Sequence, residues 1–126
     1  MLSYAAQGLL TDEGSPSGKQ VREHLTRISE ALRGLDLSCA ELMKSEQLAP
    51  VERYQAFFEV LARDAKNALV AVELVHAQPA ISSQLIDNLN ASMHIRALLT
   101  DLFLITEILE LRQTQAKYTL QADLSA

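Results

Sequence analysis

Residues 93–112 read MHIRALLTDLFLITEILELR. At about 100° per residue, Ile95, Leu98, Leu102, Ile105 and Leu109, broadened by Leu99, fall on one side of a helix. Met93, Ala97, Leu104, Ile108 and Leu111, with Thr100 between them, project from nearly the opposite side. Arg96, Glu107 and Glu110 separate the two stripes on one flank, and His94, Asp101 and Arg112 on the other. A helix in a monomeric three-helix bundle meets two neighbours about 60° apart, so one wide apolar stripe suffices. Two opposed stripes predict that one face packs on the rest of the chain and the other on a different chain.

The surrounding chain is helical by exclusion and by period. All four glycines lie at or before Gly34, and the only prolines are Pro16, Pro50 and Pro79. A stretch without glycine from residue 35 to the end argues against a β-rich fold with several tight turns. A proline is best tolerated just inside a helix start, where its missing N–H is not needed. The three prolines, with Ser15 as a cap before Pro16, therefore predict helices over about 16–46, 50–77 and 80–118. Short connections between such rods place them as antiparallel neighbours. Residues 1–15 stand apart as a short apolar segment, LSYAAQGLL, followed by linker composition, TDEGSPSGK.

The first two rods carry single stripes. Val21, Leu25, Ile28, Leu32, Leu35, Cys39 and Leu42 run in steps of four and three straight through Gly34. The phase is kept, so the reading favours a continuous helix, at a glycine cost of about 1 kcal/mol. Val51, Tyr54, Phe58, Leu61, Ala65, Ala68, Val72 and Val75 keep the same pattern, widened by Phe57 and Leu69. Glu52, Glu59, Arg63 and Lys66 fall on the other side, with Glu59 and Arg63 a favourable i,i+4 pair. Both segments read as one-faced amphipathic helices.

Charge and composition narrow the function classes. In 126 residues the formal charge is −5, against the basic stripe that nucleic-acid binding requires. The longest apolar stretch, Ala97–Leu111, contains Asp101 and Glu107 and falls short of the roughly 20 residues of a membrane span. The N-terminus lacks the basic start of a secretory signal. With one cysteine there is no disulfide framework and no cysteine-based zinc site. These features predict a cytoplasmic protein with no membrane insertion and no nucleic-acid partner.

Few residues suggest chemistry. Glu73 and His76 form a Glu-x-x-His pair, the i,i+3 spacing of di-iron bundles, but such a site needs a second pair and two further glutamates. The plainer role for His76 is to sit on the negative end of the second helix. His24 lies at the margin of its stripe and reads as a packed boundary residue. His94, followed by Arg96 and Ala97, has the ingredients of a histidine phosphotransfer bundle, in an order that differs from the usual motif. Cys39 is in phase with Ile28 and Leu42 and reads as a small core residue. No G-x-S-x-G or phosphate-binding loop is present. The polar run Asn88, Asn90, Ser92 and His94 marks where the third rod emerges from the core.

The expectation is an all-α antiparallel bundle of three long helices, completed by dimerisation. It is a non-enzymatic protein-interaction module, an adaptor, regulator or chaperone-like partner, without cofactor. Its docking face is Met93, Ala97, Thr100, Leu104, Ile108 and Leu111. In size, acidity and amphipathic helices the chain looks broadly like small bacterial export chaperones, a likeness that no motif carries. The competing readings are a phosphotransfer bundle using His94, a metal- or ligand-binding bundle, and a second stripe covered by Leu2, Tyr4, Leu9 and Leu10 folding back.

Overall fold

A computed structural model describes residues 18–125 and is helical throughout. The helices are α1 (Gly18–Arg33), α2 (Leu35–Ser45), α3 (Val51–His76), α4 (Ser83–Ala91) and α5 (Met93–Ser125). No strand occurs among the described residues. α3 is the hub, packing most extensively on α1 and α5 and also on α2 and α4. Its buried residues are Phe58, Leu61, Ala65, Ala68, Val72 and Val75, in alternating steps of three and four. The alanines at the middle of this stripe lower its relief, which allows neighbouring helices a close approach. Leu25, Ile28 and Leu32 of α1, Leu35 and Cys39 of α2, Ile86 and Leu89 of α4, and Ile95, Leu98, Leu102 and Ile105 of α5 complete a single core.

The three expected rods are five helices, because two of them break. The first is interrupted at Gly34, which has φ −85° and ψ 0°. The interruption is slight in hydrogen-bonding terms: the Gly34 N–H donates to the Glu30 carbonyl at 3.1 Å and its carbonyl accepts from the Ser38 N–H at 3.1 Å. The Ser38 hydroxyl also donates to the Gly34 carbonyl, a competing bond of the kind that bends helices. The stripe keeps its phase across Gly34, as the spacing implied, although the helix is interrupted there.

The second break is at Ser92, which is extended with φ −64° and ψ 147°. Its hydroxyl accepts from the Ile95 N–H at 3.4 Å and its carbonyl from the Arg96 N–H at 3.0 Å, so it starts a new helix. Pro79 opens no helix: it lies in the turn after α3, and α4 begins four residues later behind Ser82, whose hydroxyl accepts from the Leu85 N–H at 3.1 Å. Pro50 does stand immediately before α3, as its N-cap in extended conformation. α5 runs to Ser125, beyond the expected end at 118. Ser15, Pro16 and the 1–15 segment, with its Leu2, Tyr4, Leu9 and Leu10, lie outside the described residues.

The turns are pinned by side chains from elsewhere in the chain. Arg22 of α1 donates to the carbonyls of His76 at 2.9 Å, Gln78 at 2.8 Å and Pro79 at 3.2 Å. These include the open carbonyls of the α3 C-terminus, so a guanidinium supplies the missing donors where the helix dipole is negative. Between α2 and α3, Leu48 is anchored in the core at 2% exposure. Gln47 turns the chain with φ 47°. Arg112 of α5 donates to the Glu46 carbonyl at 3.3 Å, tying the distal half of α5 to this turn.

Candidate functional site: the outer face of the last helix

The two stripes of α5 take opposite environments. Ile95 and Leu98 are completely buried, and Leu102 and Ile105 keep 1% exposure. On the outer side Met93 is 77% exposed, Leu104 46% and Leu111 57%. Thr100 is also exposed, while Ala97 and Ile108 are half-buried. The six predicted face residues therefore lie along one helix, four open and two on a shoulder. Beyond Arg112 every side chain from Gln113 to Leu124 is exposed, including Tyr118, Leu120 and Leu124. About 13 residues, on the order of 20 Å of helix, thus extend past the core.

The flanks of this face differ. Arg96, Glu107 and Glu110 are exposed and form a free charged edge, with exposed Phe103 beside them. On the other edge, burial and then Asp64 of α3 push the Asp101 carboxyl up to about 7, and Arg112 donates to the Glu46 carbonyl. That edge is partly covered by the protein itself at Asp101 and Arg112, while His94 is exposed.

Exposed apolar residues also occur where one-faced helices were expected. Val70 and Leu74 of α3 are each 66% exposed, as is Leu37 of α2. Val70 and Leu74 are four apart and share a side of α3, outside its buried stripe. Their signal was present in the sequence as apolar residues out of phase with Val72 and Val75.

The candidate chemical residues are dispersed. Glu73 is ion-paired with Arg33 at 2.9 Å. His76 ends α3 half-buried, its Nε2 3.5 Å from the Thr26 hydroxyl. Among the described residues no three His, Cys, Asp or Glu side chains gather as metal ligands. His94 is exposed in the first turn of α5, not mid-helix, and His24 is half-buried on α1. Cys39 is buried, and burial, then the nearby Asp36 charge, push its thiol up to about 11. It is a packed core residue, since the nucleophile would be the thiolate.

Models of protein families, curated proteins and solved structures offer no match to this chain. The function therefore has to be argued from the face itself. Among the described residues no helix is long and apolar enough to cross a membrane.

Proposed function

We propose that this chain is a non-enzymatic interaction module that docks a protein helix, in the first instance from a second copy of itself, on the outer face of α5. One observation carries the reading: Leu104 and Leu111 stand open on the same helix whose opposite side is sealed in the core. Burying a leucine against a partner stabilises by about 1.5–3 kcal/mol. An i, i+3, i+4, i+7 ladder is the form in which one helix engages another. The steps from Ala97 to Leu104, Ile108 and Leu111 are of seven, four and three residues. Specificity comes from the free edge of Arg96, Glu107 and Glu110, which a partner has to meet with opposite charge. An isologous pairing of two copies is the simplest closed assembly for a single such face.

The test is sedimentation equilibrium of the full chain beside a Leu104→Glu, Ile108→Glu double variant. A dimer that the double variant reduces to a monomer with unchanged helical circular dichroism supports the proposal. A wild-type monomer at high micromolar concentration overturns the self-pairing. A dimer untouched by the two charges overturns the assignment of the face.

A further inference from the structure

The outer stripe of α5 does not stop where the core ends. From Leu104 it continues as Ile108, Leu111, Gln115, Tyr118 and Ala122, in steps of four, three, four, three and four. That is the spacing of a coiled-coil seam. Its first half lies on the part of α5 seated on the bundle. Its second half lies past Arg112, where every side chain up to Leu124 is exposed. A helix of about 13 residues is marginal in water without packing, and Tyr118, 68% exposed, receives little from its own chain.

The two halves are unequal. The seated half offers Leu104, Ile108 and Leu111, and the tail offers Gln115, Tyr118 and Ala122. The steps read the same in both directions, so a copy running the opposite way meets every position of the stripe. Centred between Leu111 and Gln115, it sets Leu104 against the partner's Ala122, Ile108 against the partner's Tyr118, and Leu111 against the partner's Gln115. Every layer then holds a leucine or isoleucine from a seated half. A parallel pair would set each residue against its own copy, leaving Gln115 and Ala122 of the tail to meet themselves.

Charge favours the same direction. Lys117 is the one base in residues 113–125. In the antiparallel register it comes nearly level with the partner's Glu110, on the same side of the seam, and supplies the opposite charge that the free edge requires. A parallel pair would instead turn Glu107 toward the partner's Arg112. That guanidinium already donates to the Glu46 carbonyl of its own chain.

We propose that two copies pair antiparallel along α5, each tail lying on the seated half of the partner's helix. The arrangement rests on the self-association proposed above and adds its direction, its register and the tail as a docking element. Leu120 and Leu124 project about 160° and 200° around the helix from Leu104 and stay outside the seam.

Disulfide trapping in the full chain reads the direction, with buried Cys39 left in place and the linked peptides mapped by mass spectrometry. Leu104→Cys and Ala122→Cys are 18 residues apart, about 27 Å along the helix. Neither variant is expected to link to itself; refolded together, they link to each other. By sedimentation, Tyr118→Glu is expected to weaken the dimer by on the order of tenfold or more. Leu120→Glu, on the far side of the same tail, is expected to leave it within about twofold. Self-linked Leu104→Cys or Ala122→Cys dimers without the mixed product overturn the antiparallel arrangement and leave self-pairing standing. So does a dimer that Tyr118→Glu does not weaken. A wild type that stays monomeric overturns both.

Discussion

The inner and outer stripes of α5 both carry leucine and isoleucine and have opposite fates. Leu98 and Leu102 are shut in the core, while Leu104 and Leu111, further along the same helix, stand in solvent. Residue type does not distinguish these four leucines. The difference comes from α3 and α4, which cover one side of α5 and leave the other. A leucine in the core contributes stability to the fold, whereas a leucine on the outer face contributes only when something else arrives. The comparison separates residues that hold the chain together from residues available to hold a partner.

The largest break in this comparison is a truncation on the inner side. Leu102→Ala removes a side chain of 1% exposure and is expected to cost about 3 kcal/mol, because the cavity adds to the lost transfer energy. Urea unfolding of the monomer measures it. A loss below about 1 kcal/mol would mean that α5 is not seated as described.

The next effect lies on the shoulder between the stripes, at Asp101. Its folded-state pKa is raised to about 7 from an ordinary 3.8. The folded protein therefore holds a proton that the unfolded chain has released. The stabilising contribution is fully present below about pH 4 and is lost as the pH rises through 7. Partial solvent access reduces the change to about 1–2 kcal/mol. Unfolding free energies at pH 5 and pH 8 measure it, with Asp101→Asn expected to flatten the difference. A wild type that gains stability between those values, relative to the variant, would give Asp101 the opposite sign.

How much of this was legible follows from the range of each interaction. Both stripes of α5 could be read because a helix repeats on itself every three or four residues. The break at Ser92 had a local signal that the rod-by-rod reading passed over. From Leu89 the next buried residue is Ile95, a step of six that no continuous stripe makes, with a capping serine between. Ser82 offered the same cue for α4, and Pro79 drew the helix start about three residues too early. The Arg22 clamp on the carbonyls of the α3 C-terminus had no local signal, since its first acceptor lies 54 residues away. The influence of Asp64 on Asp101 was hidden for the same reason, and Asp101 read only as one of the residues that separate the two stripes.

Gly34 tests the same division on a smaller scale, because the interruption there separates two helices whose stripe never loses phase. A Cβ at Gly34 would lie 3.6 Å from the Glu30 carbonyl oxygen, an ordinary contact, and its φ of −85° suits any residue. Gly34→Ala is therefore expected to stabilise by about 0.5–1 kcal/mol, mainly by restricting the unfolded chain. Thermal unfolding checks it. Destabilisation would show that the interruption needs glycine itself and is not imposed by the packing of Leu32 and Leu35.

The smallest effect belongs to the outer stripe and is the most telling for function. Leu111 is 57% exposed, so Leu111→Gln is expected to leave the monomer within about 0.5 kcal/mol of wild type in dilute solution. Concentration then distinguishes the two faces. If a second copy docks on α5, raising the protein concentration stabilises the wild type by mass action. Leu111→Gln lags behind it, whereas Leu102→Ala keeps the same deficit at low concentrations. A loss above about 1.5 kcal/mol for Leu111→Gln in dilute solution would mean that the single chain already covers this face, and its exposed leucines would then belong with the inner stripe.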